Sequence, residues 1–400
     1  MVRGLTESGH SVRVVPTTAS LQFVGAATWE ALSGAAVRTG VFEDVYEVPH
    51  VRIGQQADLV LVAPATADLL ARAATGLADD LLTSTLLTAR CPVIMAPAMH
   101  TEMWEHPATR ANVATLRQRG VLVVDPASGR LTGDDTGPGR LPEPDDLLAA
   151  CRAVLEHPPT RRDLSGRRVL VTAGATEEPL DPVRYLTNRS SGRQGWALAR
   201  VAALRGAQVT LVAGPTPLAD PAGVTTVRVT SARSMHKAVL THAPEADAVV
   251  MAAAVADHRP AQASAVKIKK GAGSRPVLDL VENPDILAEL VGRAHDGQVV
   301  VGFAAETGDE TGDVVDLGRR KLASKGCDLL VVNDVSEGRA FGRPDNEAVV
   351  LGRDGTVVEV PRTSKEALAS TVWDAVVSRL PGTVPDSDEG RPRAHEEESR

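Results

Sequence analysis

The chain has 400 residues, of which 43% are hydrophobic and 24% are charged, a composition typical of a globular protein with room for two domains. Its net charge of -8 and its aromatic content of 2% argue against a nucleic-acid or anionic-membrane surface, because such surfaces need a positive field or stacking side chains. No stretch resembles a signal peptide or approaches the ~20 apolar residues of a membrane span. The three cysteines, Cys91, Cys151 and Cys327, lack CxxC spacing, so we expect a cytoplasmic protein without a disulfide framework.

Short apolar runs alternate with helical patterns through the first half, and this alternation predicts a parallel sheet covered on both faces. The runs are SVRVV at 11–15, DLVLVAP at 58–64, PVIMAP at 92–97 and GVLVVD at 120–125. We therefore predict an α/β domain over residues 1–155. Residues 1–9 are typical of the end of a helix, so the opening strand and glycine-rich turn of a doubly wound domain are expected to be missing.

The same alternation restarts after a linker at 156–166 that is rich in proline and charge. Apolar runs lie at 167–174, 207–214, 247–254, 298–304 and 327–333. They predict a second Rossmann-like α/β domain over 167–382. The runs at 347–352 and 355–360 predict a hairpin at the edge of its sheet, and the charged tail at 383–400 predicts disorder.

Several features of the first half indicate a ligand site. Thr66 follows a predicted strand at the edge where open α/β sheets bind ligands, and it either opens an anion-binding helix or simply caps that helix. The apolar strand end IMAPAMHTEMW at 94–104 indicates a ligand wall or a subunit contact. The glycine-rich segment 126–144 indicates a mobile flap. His50 begins a helix and could exchange protons near neutral pH, although a lone histidine is more often structural.

The strings PHVRI, ADLVLVAPATADLLARAATGLADDLL, PVIMAPAMHTEMW and GPGRLPEP, in this order, resemble the phosphopantothenoylcysteine decarboxylase family of flavoproteins. The resemblance implies a flavodoxin-like domain with bound FMN, which oxidises the substrate thiol before the carboxylate leaves, and it makes His50 the active-site histidine. It implies FMN contacts from Thr17, Pro64, Ala65 and Thr66, and substrate contacts from His100, Met103 and Arg140.

Three departures from the family pattern qualify this resemblance. His100 stands where the family has the asparagine of its PxMN motif, and Gly133 stands where the flap has a proton-donating cysteine. Either Thr132, Asp134 or water replaces that cysteine, or the last step of the reaction is impaired. The family also opens with a strand and a Gly-Gly turn that helps to hold the FMN phosphate, and this sequence begins beyond both. We therefore expect this sequence to bind FMN poorly or not at all.

The second half carries a different set of motifs. TAGATEEPLDPVRYLTNRSSGRQG ends with Gly192 and Gly195 at a predicted helix start, which is suited to a phosphate but lacks the GxGxxG spacing of an NAD site. Asp257 follows a buried strand and precedes the lysine-rich KIKKGAG, a pair suited to a metal–nucleotide triphosphate or to a solvated loop. ENPDILAEL is a capped helix start, and Lys321 and Lys325 share one helical face.

Together with GFAAET and NDV, these motifs resemble the phosphopantothenate–cysteine ligase family over about 167–380. The resemblance implies that CTP, with Mg²⁺, activates the phosphopantothenate carboxylate as an acyl-nucleotide, and that the amine of cysteine then displaces the nucleotide. Asn188 would orient this intermediate, Lys267 would stabilise charge on the phosphate, and Gly192 would contact the substrate. The implied nucleotide-binding residues are Asp257, Asn283, Pro284, Asp285, Ile286, Phe303, Lys321 and Lys325. Spacing gives no set of metal ligands.

The two resemblances predict a bifunctional enzyme of coenzyme A biosynthesis. We expect it to act as a homo-oligomer on small molecules, namely phosphopantothenate, cysteine and CTP, without nucleic-acid or membrane partners. One alternative is a ligase whose first half no longer decarboxylates. Another is a binding or scaffold protein, which predicts no release of pyrophosphate.

Overall fold

The computed structural model describes residues 1–38, 48–131, 135–156, 162–269, 277–306, 313–334 and 345–382. The α-helices are α1 (Val2–Glu7), α2 (Ala26–Ser33), α3 (Pro49–Gln56), α4 (Ala67–Thr75), α5 (Leu81–Thr88), α6 (Thr101–Glu105), α7 (Pro107–Gln118), α8 (Pro144–Glu156), α9 (Arg193–Leu204), α10 (Ala232–His242), α11 (Ile286–Arg293), α12 (Val314–Lys325) and α13 (Lys365–Val377). Among these described helices, none combines the length and the apolar character needed to cross a membrane.

The strands follow the same chain order. They are β1 (Val60–Ala65), β2 (Val93–Pro97), β3 (Leu122–Val123), β4 (Ala127–Arg130), β5 (Thr136–Arg140), β6 (Arg168–Ala173), β7 (Glu177–Pro179), β8 (Tyr185–Thr187), β9 (Gln208–Ala213), β10 (Val224–Arg228), β11 (Ala248–Met251), β12 (His258–Pro260), β13 (Leu280–Glu282), β14 (Val299–Glu306), β15 (Leu329–Asp334), β16 (Asp345–Gly352) and β17 (Val357–Ser364).

The second half is built on an eight-stranded sheet in the order β10-β9-β6-β11-β14-β15-β16-β17. The strands from β10 to β15 are parallel, and β16 and β17 are antiparallel at the edge. Val169 and Val171 of β6 face a core formed with α9 and α13, whereas Leu170 faces a core formed with α10, α11 and α12. This two-residue alternation is what a strand buried on both faces requires. The predicted doubly wound fold and edge hairpin are confirmed.

The first half contains a smaller parallel sheet in the order β1-β2-β3. The runs at 58–64 and 92–97 form β1 and β2 as predicted, whereas only Leu122 and Val123 of the run at 120–125 pair as a strand. The strand predicted at 11–15 is wrong. That segment is irregular, because an apolar alternation forms a strand only where a neighbouring strand completes its hydrogen bonds, and no described strand pairs with it.

The glycine-rich segment 126–144 is also more regular than expected. Its described part contains the antiparallel hairpin β4–β5, which packs against α6 and the turn before it. At Gly139 a Cβ atom would lie 2.2 Å from the carbonyl oxygen of Met99, so glycine is needed for the close approach. Glycines that indicate a loose flap in the sequence therefore allow a packed hairpin in the structure.

Helix α8 joins the two halves. Its buried residues pack both with β2 of the first sheet and with the core of the second half. Arg200 of α9 binds Asp146 of α8 and Glu366 of α13, at 2.9 Å in each pair. Leu164, in the predicted linker, is fully buried in the core of the second half. The end of this segment therefore packs on the second domain.

Candidate active sites

The first candidate site lies at the carboxyl edge of the large sheet, where the loops after β6 and β11 meet. Ala175 forms a parallel bridge with Ala254, and the Thr176 hydroxyl accepts a hydrogen bond from the Ala256 N–H at 3.0 Å. Gly214, after β9, packs against the same loop, since a Cβ atom there would lie 2.1 Å from the Ala175 carbonyl oxygen. These contacts hold the floor of the site rigidly.

A cleft of about 500 Å³ opens above this floor, and Ala175, Tyr185 and Asn188 are among its lining residues. The Asn188 side chain donates from Nδ2 to the Val255 carbonyl oxygen at 2.9 Å. Its Oδ1 accepts no hydrogen bond within the part of the chain that the structure describes. Asn188 is therefore held by one end of its amide and can offer the other end to a ligand.

The start of α9 borders this cleft through Ser190 and Ser191. Gly192 is the N-cap residue with φ of 75°, a left-handed conformation that favours glycine. At Gly195 a Cβ atom would lie 2.3 Å from the Ala173 Cβ, so glycine lets α9 approach the end of β6. The free N–H groups and positive dipole end of α9 therefore lie beside the cleft, as an anion site requires.

The predicted nucleotide-binding residues cluster around the start of α11. The Asn283 N–H donates to the Asp257 carbonyl oxygen at 2.8 Å, and its side chain donates to the Ala256 carbonyl oxygen at 2.8 Å. Asp285 caps α11 by accepting from the Ala288 N–H at 3.0 Å, with Pro284 directly before it. The Asp257 side chain is exposed and free to face a ligand.

The side chain of Ile286 is 3% exposed and belongs to the core, so only its backbone could contact a nucleotide. Phe303 of β14 is half-buried and packs against the opposite core. The motif containing Ile286 therefore combines a core residue with residues that are predicted to bind the nucleotide, a distinction that sequence alone does not make.

Two lysines of α12 bind carboxylates from neighbouring elements. Lys321 donates to Glu306 at 3.1 Å, and Lys325 pairs with Asp285. Burial opposes ionisation of Asp285, but the hydrogen bond from Lys325 and those from backbone N–H groups outweigh burial and lower the pKa of this carboxyl. A triphosphate would have to compete with these carboxylates for the ammonium groups.

Lys267 lies in an exposed loop after β12. The backbone of its neighbour Ile268 bonds to Asp181 and Arg184 in the turn between β7 and β8. Asp181 and Arg184 lie inside the motif that resembles the ligase family, but no role is predicted for either residue. Their local sequence, Asp-Pro-Val-Arg, is typical of a turn with an aspartate cap.

The second candidate site lies in the first half, where His50 occupies the first turn of α3. Thr88 of α5 donates to the His50 carbonyl oxygen at 2.8 Å. The Nδ1 atom of His50 is buried and has no hydrogen-bond partner in the described structure. A buried polar atom without a partner is unfavourable, so a bound group that completes its hydrogen bonding would be stabilised here. This atom fits the flavin-and-substrate site that the resemblance implies.

The other predicted flavin contacts lie at the carboxyl end of β1 and near the start of the chain. The Thr66 hydroxyl caps α4 by accepting from the Leu69 N–H at 3.2 Å. Pro64 is exposed and Ala65 is buried next to it. The Thr17 hydroxyl accepts from the Ser20 N–H at 3.2 Å, at the start of a short 3-10 helix. Thr66 and Thr17 therefore each bond to the local backbone, and their flavin contacts stay predictions.

The β4–β5 hairpin of the flap brings an aspartate, Asp135, next to a second histidine, His100. His100 Nδ1 lies 3.0 Å from Asp135 Oδ2, and Gly139 accepts from the Met99 N–H at 3.0 Å. Met103 is 48% exposed beside this pair, and Arg140 pairs with Glu143. Asp135 could not be predicted from the sequence, because only the fold of the hairpin brings it to His100.

Gly133, which stands at the position of the flap cysteine, and its possible replacements Thr132 and Asp134 lie outside the described residues. The cysteines present are all free thiols. Burial raises the pKa of each of them, that of Cys151 to about 11. Cys151 lies within α8 and Cys327 in the core of the second half, so neither is placed to donate a proton at the flap.

These features define an α/β enzyme of two halves, of which the first is of the flavoprotein type and the second is suited to bind a nucleotide. The Flavoprotein family model matches residues 1–156, and the model of the DNA/pantothenate metabolism flavoprotein C-terminal domain matches residues 164–380. The latter match covers more than half of the chain.

The coenzyme A biosynthesis bifunctional protein CoaBC of Mycobacterium tuberculosis (strain ATCC 25618 / H37Rv) is 60% identical over 390 residues, which cover 96% of this chain and 93% of the relative. CoaBC of Vibrio cholerae is 43% identical over 384 residues, with coverage of 95% and 94%. A crystal structure of the C-terminal domain of CoaBC is 38% identical and covers 54% of this chain and 97% of that chain, with a TM-score of 0.46.

The chain belongs to the CoaBC family of bifunctional coenzyme A biosynthesis proteins. It is therefore a bifunctional enzyme with a ligase and a decarboxylase activity, which confirms the prediction made from its sequence. The alternative of a scaffold protein is wrong.

Proposed function

We propose that the second half joins phosphopantothenate to cysteine, using CTP and Mg²⁺, and that the first half decarboxylates the product with FMN. The observation that carries the ligase proposal is the cleft that contains Asn188 beside the start of α9. A helix N-terminus stabilises the phosphate of a substrate, and an amide beside it can direct the reacting group. The functional domains would be residues 1–155 and 167–382.

The ligation would proceed in two steps. An oxygen of the phosphopantothenate carboxylate attacks the α-phosphorus of CTP, and pyrophosphate leaves. The amine of cysteine then attacks the acyl carbon, CMP leaves, and the amine loses a proton. Lys267 would offset charge that develops on the phosphate in the first step, and Asn188 would orient the acyl-nucleotide in the second. Mg²⁺ would neutralise charge on the triphosphate.

The nucleotide would lie along Asp257, Asn283 and the start of α11, with its phosphates toward Lys321 and Lys325. This placement is supported by the hydrogen bonds that join Asn283 to Asp257, and by the ammonium groups at the edge of α12. Glu306 and Asp285 neutralise those ammonium groups before a nucleotide binds, so phosphate binding would exchange one anionic partner for another.

For decarboxylation, Thr17, Pro64, Ala65 and Thr66 would hold FMN, whose chemistry would be the reversible two-electron oxidation of the substrate thiol. His50 would exchange a proton at the substrate, which is supported by its buried Nδ1 atom without a partner. His100 would donate a hydrogen bond to the carboxylate of the substrate, and Asp135 would hold the imidazole in orientation. Met103 and Arg140 would complete the substrate side of the pocket.

We also propose that the enzyme is a cytoplasmic homo-oligomer. The location is supported by its three free thiols, which suit a reducing compartment. Self-association is supported by exposed apolar side chains on the β7–β8 and β12–β13 hairpins, such as Val183, Tyr185, Leu280 and Val281. Sedimentation of the purified chain tests the assembly, and a single monomeric species at micromolar concentration would refute it.

The functional experiment uses the purified full chain with phosphopantothenate, cysteine and Mg²⁺, and with each common nucleoside triphosphate in turn. We expect pyrophosphate release to be fastest with CTP and to be absent without phosphopantothenate. A flavin absorbance spectrum and carbon dioxide release, both measured with added FMN, test the first half. Pyrophosphate release without flavin absorbance or carbon dioxide would favour the ligase-only alternative, whereas no pyrophosphate with any triphosphate would refute the ligase proposal.

A further inference from the structure

A buried carboxylate lies in the turn between β7 and β8. The side chain of Asp181 is 0% exposed, although this hairpin is a small two-stranded sheet at the surface. Its Oδ1 accepts from the Val183 N–H at 2.8 Å and from the Arg184 N–H at 2.9 Å. These two bonds are those of an aspartate-capped turn, and a neutral asparagine would provide them equally well.

The second oxygen of Asp181 has a different task. Oδ2 accepts from the Ile268 N–H at 3.1 Å and from Arg184 Nε at 2.9 Å, and it also pairs with Arg184 Nη2. The same Nη2 donates to the Ile268 carbonyl oxygen at 2.8 Å. Asp181 and Arg184 together therefore bind both the N–H and the C=O of Ile268, which follows Lys267.

Within its described residues, the loop that carries Lys267 has few other contacts that fix its position. Val266 is 72% exposed and Ile268 is 41% exposed, so apolar burial contributes little to its position. Upstream, the Ser264 N–H donates to the Leu180 carbonyl oxygen at 2.9 Å, again in the β7–β8 hairpin. The described part of the loop is therefore fixed to this hairpin by hydrogen bonds on both sides of Lys267.

The same hairpin leads directly to the other proposed reacting group. Strand β8 ends at Thr187, whose hydroxyl donates to the Thr176 carbonyl oxygen at 2.8 Å. Asn188 follows and bonds to the Val255 carbonyl oxygen. One short hairpin thus fixes Asn188 at the end of a strand and Lys267 through its turn, so it sets the position of both groups relative to the floor of the cleft.

A structural role for Asp181 confined to the turn would explain only half of these contacts. A buried charge is unfavourable unless it is fully paired, and a turn alone does not need one. The hydrogen bond from Arg184 holds the pKa of Asp181 well below its ordinary range, and the backbone N–H groups act in the same direction against the effect of burial. The carboxylate is thus charged wherever the enzyme is assayed.

We propose that Asp181 and Arg184 are positioning residues of the ligase site, which hold Lys267 in place for the first step by binding the backbone of Ile268. This inference rests on the proposed function of Lys267. In this arrangement Oδ2 of Asp181 positions Lys267, whereas Oδ1 caps the turn.

The test compares Asp181→Asn with a matched control in the same half. Asp354 also caps a turn, by accepting from the Thr356 N–H at 3.0 Å, and it also pairs with an arginine, Arg379. Asp354 lies in the hairpin between β16 and β17. Asp354→Asn therefore makes the same chemical change as Asp181→Asn in the same kind of turn. Asp354 lies at the edge of the sheet, and the proposal assigns it no role in the reaction.

The measurement is acyl-nucleotide formation in a single turnover of the full chain, by rapid quench and mass spectrometry, alongside the thermal midpoint. We expect Asp181→Asn to slow this step by about 10-fold to 100-fold with little change in the KM for CTP, because small misplacement of a reacting group is costly. Capture of the preformed acyl-nucleotide by cysteine should change much less. Asp354→Asn should leave both steps within about twofold, whatever its effect on the midpoint.

A double variant separates positioning from general destabilisation. If Asp181 acts through Lys267, then Asp181→Asn combined with Lys267→Gln should be no slower than Lys267→Gln alone. Additive losses, or equal losses in Asp181→Asn and Asp354→Asn, would overturn the positioning role of Asp181 while leaving the ligase proposal intact. Normal acyl-nucleotide formation in Lys267→Gln would instead refute the proposed function on which this positioning role rests.

If Asp181→Asn does not fold, Arg184→Lys provides the second test. Lysine keeps a positive charge near Asp181 but lacks the planar fork that reaches both the carboxylate and the Ile268 carbonyl oxygen. The proposal predicts a slower first step at an unchanged KM for CTP. A wild-type rate in a folded Arg184→Lys chain would contradict it.

Discussion

The close approach of Gly214 to the floor of the ligase cleft gives a prediction that can be worked out from distances. In Gly214→Ala the new Cβ would lie 2.1 Å from the carbonyl oxygen and 2.9 Å from the carbonyl carbon of Ala175. An ordinary close C···O contact is ~3.3 Å, so the backbone must separate by about 1.2 Å. The Gly214 N–H is bonded to Ala173 at 2.9 Å, and Ala175 pairs with Ala254, so neither segment moves freely.

Overpacking of this kind costs about 1–3 kcal/mol. In a domain of this size, each kcal/mol lowers the midpoint of thermal unfolding by roughly 2–4 °C. We therefore expect calorimetry to show that Gly214→Ala lowers the unfolding midpoint of the ligase half by roughly 2–12 °C. Pyrophosphate release should fall as well, because Ala175 lines the cleft.

Gly292→Ala is the matched control, since a Cβ there meets nothing within 4 Å and the residue lies inside α11. It should stabilise the chain by up to about 1 kcal/mol through helix propensity. If the two variants unfold at the same temperature, the close packing at Gly214 is refuted.

Three further predictions concern other parts of the chain. Lys325→Ala should weaken CTP binding about tenfold, an effect read as an increased KM. The variant should also raise the pKa of Asp285, which Lys325 helps to depress in the folded protein. Lys325→Ala should therefore be less stable than wild type at neutral pH, and this difference in stability should shrink below about pH 4. A stability difference that does not change with pH would contradict the ion pair. Asp135→Asn should slow carbon dioxide release at least several-fold without changing pyrophosphate release, and equal effects on both would refute its role at His100. Cys151 and Cys327 should resist alkylation at pH 8 until the chain unfolds, because both thiols are buried with raised pKa, and rapid labelling of the native protein would contradict this burial.

The sequence predicted those parts of the fold whose cause is local. The parallel strands β6, β9, β11, β14 and β15 are buried on both faces, so each is a continuous apolar run that stands out in the sequence. The hairpin β4–β5 was missed because its glycines serve close packing on Met99, a contact that is invisible in sequence. The segment 11–15 was misread because its alternation does not show whether a neighbouring strand exists.

The candidate sites were predictable to a similar extent. The motif around Asn188 and Gly192 follows a strand, so its place at the carboxyl edge of the sheet could be inferred. The bond between Asp181 and Ile268 joins residues that are far apart in the chain, and no periodicity or spacing relates them. The pairing of His100 with Asp135 likewise depends on how the flap hairpin folds back.

The central claim is that one chain ligates and then decarboxylates, with a separate site for each reaction. The direct measurement follows cysteine labelled at its carboxyl carbon, with phosphopantothenate, CTP, Mg²⁺ and added FMN, in wild type, Lys267→Gln and His50→Asn. We predict one pyrophosphate and one labelled carbon dioxide for each phosphopantetheine made by the wild type. His50→Asn should release pyrophosphate without labelled carbon dioxide, and Lys267→Gln should release neither at more than about 1% of the wild-type rate. Labelled carbon dioxide that forms without a nucleotide, or that persists in His50→Asn, would contradict the account.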